Sequence, residues 1–523
     1  MSSARQPVVA IVDDYSTAEN YPDEFFKQLA KLSKLRDVKL VHVQSQRVPK
    51  VFQETHARLM RANYLGEPYF IENIISRTKA EKDHITLPET RDNEAKRRRI
   101  KEDQLERVED ALEQLKKYDV LFAVPGTECG VKMADHLSAR LGLATSNGIE
   151  KTEARRNKHE MHLALKAAGI AYAEGCLSDD INKIFDFVRP YFAQGKPVIL
   201  KPVSDAATNN VKKCKNEEDV RAAFALIMSS EDTFGDPNTD VLAQEFLDGP
   251  EYIVNTVSRD GVLFVTDICH EVKQEVDGSM TYDCEKRIQR GTPLFIECED
   301  YVKCVAGPKA LAIQNGPGHA EMIKTKKGLV LVEMAARMGG GIDLTMCTKA
   351  DGFNIVEKSV QSYVDPEAFK KFATSPPAKN SEHITWNVFS RVEAPLDKCA
   401  VNHEFYSAEE FRKVFPTFAA LHSYIKVGEP LDKTINLLTS PFYAYFHGLP
   451  EAVEKDYRRF RQYEQAILVE VCKPANEKRR SLEEVIAAQF SLQTSSALFG
   501  SAFAQMKSAF VDRGVVRDAT FVV

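Results

Sequence analysis

Gly318-His-Ala-Glu-Met-Ile-Lys-Thr-Lys-Lys-Gly-Leu-Val-Leu-Val-Glu-Met-Ala-Ala-Arg-Met-Gly-Gly-Gly341 is the most informative segment of this chain. It reads as a hairpin. Residues 319–325 and 329–335 form the arms, and Lys326-Lys327-Gly328 is a three-residue loop with glycine where a positive φ is needed. This register sets Glu321 directly opposite Glu333, on the face shared by His319, Ile323, Leu331 and Ala335. Like charges directly across two strands destabilise a sheet, so the pair implies a cation between them. Hard oxygen ligands in polar surroundings favour Mg²⁺ held together with a phosphate substrate. Arg337 follows two residues on, on the same face if the strand continues. Taken alone, the stretch also fits an exposed hairpin with two solvated glutamates.

The bulk of the chain narrows the choice. A length of 523 residues implies two to four domains or subdomains. The formal net charge is −6 and no long block of one sign exists, which argues against nucleic acid as the main partner. The most basic run, residues 96–101, is followed at once by Glu102, Asp103, Glu106, Glu109 and Asp110. Leu105, Val108, Leu112 and Leu115 have helical spacing, so the region reads as an amphipathic helix with a solvated face. Ten scattered cysteines form no C-x-x-C pair, which signals neither a zinc site nor a disulfide framework and suits reduced thiols in the cytoplasm. The start of the chain lacks a signal-peptide pattern, and no apolar run reaches membrane-spanning length.

The organisation is α/β at the start. Residues 8–12, 38–43 and 120–124 read as buried strands, with a helix near 22–34. The third strand ends in Pro125-Gly126-Thr-Glu-Cys-Gly130, and a helix follows through Leu141. This is the doubly wound pattern without a dinucleotide fingerprint. Residues 151–170 read as one helix with a glycine cap. Residues 197–202 form a short strand with Lys201 at its exit. Residues 241–254 are strand, turn and strand. Strands near 262–268, a helix before Gly316 and the acidic hairpin follow. Strands and loops continue from about 380, with a terminal helix near 451–469. Residues 473–523 open with a charged linker and lead into one helix.

In this order the pieces resemble the ATP-grasp superfamily, and most closely its carboxylate–amine ligase branch of L-amino-acid (dipeptide) ligases and carnosine synthase-like enzymes. The resemblance covers about residues 5–470. It implies an N-terminal doubly wound domain over 1–150, a linker helix and mobile lid over 151–243, an antiparallel-sheet catalytic domain over 244–472, and an extension over 473–523. Lys158 and Lys201 match the two lysines that reach the ATP phosphates. In Gln244-Glu-Phe-Leu247, the backbone of Glu245 and Leu247 matches the adenine hinge, with the Gln244 side chain beside it. Glu251 matches the acid that accepts the ribose hydroxyls. Glu321 and Glu333 match the two Mg²⁺ carboxylates, with Mn²⁺ as a substitute metal. Arg337 matches the arginine that contacts the transferred phosphoryl group. His319 fits the branch either by orienting a substrate carboxylate or by holding the hairpin.

Two departures matter. The asparagine metal ligand of many ATP-grasp enzymes is replaced here by Ala335, as in the dipeptide-ligase branch. The loop Ser204-Asp-Ala-Ala-Thr-Asn-Asn210 lacks the usual glycines, although Asn209 and Asn210 tolerate left-handed geometry. Gly339-Gly340-Gly341 reads either as a flat wall beside a substrate side chain or as a turn. The resemblance implies an ADP-forming, cytoplasmic ligase for a carboxylate, an amino acid above all, and an amine, with a homodimer as the family's oligomer. A biotin carboxylase-like enzyme and a non-catalytic ATP-binding regulator are the alternatives. Ala335 counts against the first, and the full set of lysines, carboxylates and arginine counts against the second.

Overall fold

The computed structural model describes residues 5–489, apart from 14–20, 32–36, 46–47, 65, 87–89, 91, 206–208, 277–278, 341–342, 377–381, 394–395 and 436. The chain divides into two compact units, one spanning 1–384 with 436–438 and the other 385–435 with 439–523.

The first unit opens with a parallel sheet in the order Phe70–Ile75, Lys39–Gln44, Gln6–Val12, Tyr118–Pro125. Its inner strands are apolar on both faces because both faces are covered. Val8, Ala10 and Val41 pack with Val108, Ala111 and Leu137, while Val9, Ile11 and Leu40 pack with Phe25 and Phe353. Phe70–Ile75 is a fourth strand that the sequence reading lacks. Its Ile71 and Ile75 are exposed, so it does not look like a buried strand. The chain leaves Gln6–Val12 in one direction and returns to its other side at Tyr118–Pro125. That makes the loop after Pro125 a topological switch point, where open α/β sheets place ligands. The following helix, Gly130–Arg140, starts tight against the sheet: a Cβ on Gly130 would lie 2.5 Å from the Val12 carbonyl oxygen.

The helix expected over 151–170 is shorter. Residues 151–156 are turns, and the helix is Lys158–Ala167. Asn157 ends the preceding turns because its side chain accepts from the amides of His159 and Glu160. A four-stranded antiparallel sheet follows, ordered Gly175–Ser178, Val241–Glu245, Val198–Lys201, Lys212–Cys214. Helices Ile181–Phe192 and Glu217–Met228 bury one of its faces through Phe185, Val188, Val220 and Ile227 against Val198, Leu200 and Ala243. Alternation along the strands leaves Lys201, Leu242 and Gln244 on the opposite face.

The larger antiparallel sheet of this unit runs Gly328–Ala335, Gly316–Thr325, Glu251–Arg259, Val262–Val276, Ser279–Arg287. One face is apolar and packs Val254, Ile268, Met322 and Leu331 against helices Lys158–Ala167 and Pro293–Ala306. The other face is covered at one end, where Val257 and Phe264 meet helices Ile355–Val364 and Pro366–Thr374. Its opposite end carries the polar residues described below.

In the second unit, strands Ile384–Phe389, Phe442–Gly448 and Phe418–Ser423 lie side by side in that order. Phe411, Phe415, Phe442, Phe446 and Phe460 are fully buried there, the last on helix Pro450–Val471. Residues 473–489 belong to the same unit. Arg480 bonds the buried Glu470, residues 482–489 are helical, and Val485 is fully buried. No helix among the described residues is long and apolar enough to cross a membrane.

Candidate active site

The hairpin forms with Glu321 opposite Glu333 and His319 opposite Ala335. It reaches that register by a different route. The loop is two residues, because Gly328, at φ +112°, already pairs with Thr325. Met322 therefore faces Leu331, and a bulge at Val332 brings the register back before the glutamates. Leu331 consequently lies in the apolar core, not on the glutamate face. A one-residue slip moves a side chain to the other face, and the bulge confines that slip to the loop side of the carboxylates. Val332, the extra residue, has its carbonyl taken by His162 Nε2 at 3.3 Å. The Ala173 amide donates to Nδ1 of the same ring, which fixes the proton on Nε2. Burial first, and then the charge of Lys201, push His162 down to about 3.

Lys158 sits at the first helical position and is buried. Its Nζ lies 2.5 Å from Glu333 Oε2 and donates to the Asp205 carbonyl at 2.7 Å. Lys201 is also buried. Burial and the Lys158 charge lower it to about 8, against the pull of Glu333, Glu321 and Glu251. Glu321 goes the other way. Burial alone would raise it, but His319, Lys273 and Lys158 bring it down to about 2.

Residues 244–247 run from the end of strand Val241–Glu245 into the following loop. Gln244 is 4% exposed and its Nε2 has no hydrogen-bond partner. The Glu245 amide donates to the Glu174 carbonyl, and the Glu245 carboxylate accepts from the Glu174 amide. Leu247 lies just past the strand and is half-buried. Glu251 begins the next strand and faces Ile323 on one side and Glu271 on the other. Its Oε1 is 2.9 Å from Lys273 Nζ, and Lys273 also pairs with Glu271. Burial raises Glu251, with Glu321 and Glu333 adding to the rise and Lys273 opposing it.

Strand Gly328–Ala335 stops before Arg337, so that residue is placed by the turn and not by strand alternation. Its Nε donates to Glu128 Oε2 at 2.6 Å and its Nη1 donates to the Met338 carbonyl. Glu128 comes from the switch-point loop and also meets Arg156 at 3.6 Å. Burial would raise Glu128, but Arg337, Arg156 and Lys158 hold it below the usual carboxylate range. His319 lies 3.8 Å from Glu321 through Nε2. Asn255 Nδ2 donates to Asp267 at 2.8 Å, which turns Asn255 Oδ1 toward His319 Nδ1, also at 2.8 Å. A carboxylate only accepts, so the amide orientation is set and Nδ1 is the donor. Arg287 joins Asp267 at 3.8 Å and pairs with Asp351 on helix Leu344–Asp351. Gly339 seats the ring, since a Cβ there would lie 2.6 Å from His319 Nδ1.

Lys158, Lys201, Glu251, Glu321 and Glu333 thus come together, and Arg337 is tied to Glu128. The sequence reading did not assign Glu128, Arg156, Asn255, Asp267, Glu271, Lys273 or Arg287. Of the loop 204–210, residues 206–208 lie outside the described residues, as does Gly341 of the glycine run; Asn210 adopts φ +55°.

The fold is the ATP-grasp fold: a parallel N-terminal sheet, a small antiparallel sheet and a large antiparallel sheet bearing the carboxylates. A solved L-amino acid ligase from Bacillus licheniformis superposes with a TM-score of 0.60 at 15% identity, covering 88% of this chain and 98% of that one. The ATP-grasp domain family model matches residues 194–346. Dapdiamide A synthase of Enterobacter agglomerans is 32% identical over 262 residues, 50% of this chain and 61% of the relative. The L-arginine-specific L-amino acid ligase of Bacillus subtilis is 25% identical over 261 residues, 49% of this chain and 61% of the relative. The match thus spans 61% of the length of these curated relatives. The chain carries an ATP-grasp domain and is a distant homologue of L-amino acid ligases and dapdiamide synthase.

Proposed function

We propose that this chain is an ATP-dependent carboxylate–amine ligase acting on an amino acid through an acyl phosphate. The observation that carries the reading is the facing pair Glu321 and Glu333, with Lys158 on the pair, Lys201 beside it and Arg337 just past the strand. The donor set fits Mg²⁺, since both ligands are hard oxygens and Glu333 already attracts a cation in Lys158. Glu321 and Glu333 would hold the metal, which would supply charge neutralisation on the transferring phosphoryl group.

The remaining roles belong to the chain itself. The Glu245 amide is engaged by Glu174, so its carbonyl, together with the Leu247 amide, is the part of the hinge that serves the adenine edge. The buried donor of Gln244 completes that contact. Glu251 takes the ribose hydroxyls, and Lys158 and Lys201 clamp the triphosphate. The substrate carboxylate oxygen attacks the γ-phosphorus, the bond to the β-phosphate oxygen breaks, and ADP leaves. The amine nitrogen then attacks the acyl carbon and loses a proton, and phosphate departs. Arg337 stabilises the transferring phosphoryl group and then the tetrahedral oxyanion. His319, held by Asn255, orients the substrate carboxylate. The segment 171–243 closes over ATP and keeps water from the acyl phosphate.

Amino acids are the first substrates to test, because one curated relative is named an L-arginine-specific L-amino acid ligase. The test is a phosphate-release screen over amino-acid pairs with product masses read for each hit. Expected are ADP, phosphate and a product lighter than its two parts by one water. Release of AMP and pyrophosphate would mean adenylation and would remove the reading.

A further inference from the structure

Beyond the two lysines on the phosphate side, the polar face of the large sheet carries a third. Glu251 and Glu271 stand directly opposite each other on neighbouring strands. Glu271 is buried and Glu251 half-buried, and like charges so placed repel. Lys273 lies two residues after Glu271, on the same face, and reaches both carboxylates. Among the described residues it is the one cation that forms an ion pair with either. Its ammonium also sits 4.8 Å from the Tyr282 ring centroid. Tyr282 is its cross-strand neighbour because the register shifts after Val272. The side chain is 7% exposed, so its position is fixed by packing as well as by charge. Lys273 binds Glu251 through Oε1 alone, at 2.9 Å.

We propose that Lys273 is a positioning residue for nucleotide recognition: it anchors Glu251 by one oxygen so that the other is presented to the ribose hydroxyls. The inference rests on the reading of Glu251 as the ribose acid. It assigns to Lys273 no contact with substrate and no part in phosphoryl transfer. A buried carboxylate with two free rotamers would spread its acceptor over several positions. One tethered to a lysine wedged against an aromatic ring holds it in one place.

The test is calorimetric binding of Mg·ADP, Mg·2′-deoxy-ADP and Mg·3′-deoxy-ADP, which needs no knowledge of the amino-acid substrate. The wild-type chain should prefer ADP over the deoxy analogues by about tenfold, the scale of one hydrogen bond to a charged group. Glu251→Gln should weaken that preference. Lys273→Met should reduce it to less than about twofold, while affinity for the deoxy analogues stays within about threefold of wild type, because the lysines that clamp the phosphates are untouched. Lys273→Arg should keep the preference. If Lys273→Met does not fold, the double variant Lys273→Met/Glu271→Gln, which leaves one fewer unpaired buried carboxylate, carries the same measurement.

Retention of the ribose preference in the methionine variant overturns the proposal, as does an equal loss of affinity for all three nucleotides. The two readings separate cleanly. If Glu251→Gln removes the preference and Lys273→Met does not, Lys273 alone is misassigned. If the wild type shows no preference and Glu251→Gln changes nothing, the ribose reading falls and takes this proposal with it.

Discussion

The polar face of the large sheet holds two rows of side chains that differ in how they are balanced. The first row steps along the strands, with Glu333 facing Glu321 and, two residues away, Glu251 facing Glu271, and it meets Lys158, Lys201 and Lys273. The second row, His319, Asn255 and Asp267, ends at Arg287 and Asp351. In the second row each group satisfies the next: amide to carboxylate, imidazole to amide, guanidinium to two carboxylates. In the first row the neighbours work against each other. Burial and then Lys158 lower Lys201, while burial and then Glu321 and Glu333 raise Glu251 against Lys273, and perturbed charges of this kind cluster at functional sites. In the proposed reaction the first row would hold the ligands, and the second would be the scaffold that aims His319 beside them.

The largest effect is expected at the facing carboxylates of the first row. Glu333→Gln removes one of the two facing carboxylates and leaves Lys158 without its ion-pair partner. ADP formation should fall by more than about a hundredfold while the thermal transition stays cooperative. Turnover within a factor of about two of wild type would show that the facing pair holds no essential metal.

Arg337→Ala comes next. Hydroxylamine should trap the acyl phosphate of the correct acid as a hydroxamate in the wild-type protein. The variant should lose about a hundredfold in both trapping and ligation, on the order of 3 kcal/mol, since one guanidinium serves both steps. A variant that traps normally but fails to ligate would confine Arg337 to the second step.

The second row should respond more weakly and more selectively. Gly339→Ala builds a Cβ 2.6 Å from His319 Nδ1 and 3.3 Å from Asn255 Oδ1, so the ring must move. Ligation should drop by about tenfold, roughly 1.4 kcal/mol, with Mg·ADP affinity unchanged. Equal loss of nucleotide affinity would mean that the two rows are not separable.

How much of this was legible in the chain follows the same division. The facing glutamates were readable because alternation and charge on a hairpin are local. So was Lys201, at the exit of a short apolar strand. The bulge at Val332 was not, since the run from Leu329 to Val332 is apolar at every position and carries no mark of the extra residue. The start of the helix at Lys158 carries a local signal, since Asn157 precedes it and Glu160 lies three residues after Asn157. Strands Val262–Val276 and Ser279–Arg287 were blurred by the polar residues they turn toward the site, such as Glu271, Lys273 and Glu285. Glu128 meets Arg337 across 209 residues of sequence. Only its place after a strand at the switch point of the parallel sheet pointed to it.

The smallest effect concerns Lys201, and it has a definite sign. In the ligand-free chain its pKa is lowered from 10.5 to about 8 by burial and by Lys158. The phosphates of a nucleotide favour the ammonium form, so binding should raise the pKa. Below pH 8 the proton is already present and binding should take up little. Near pH 9 the free side chain is mostly neutral, and binding should take up close to one proton. Affinity for Mg·ADP should therefore fall above pH 8, by at most about tenfold per pH unit. Fold stability should move the opposite way. An unfolded lysine holds its proton up to its ordinary value, so over the window from about 8 to 10.5 the unfolded chain binds more protons and the Lys201 contribution to stability rises with pH. Calorimetry in buffers of different ionisation enthalpy measures the uptake directly. Lys201→Arg keeps the charge at every pH tested and should abolish the uptake at pH 9. A wild-type titration that takes up no proton at pH 9 would place Lys201 away from the phosphates and leave Lys158 as the sole lysine on that side of the first row.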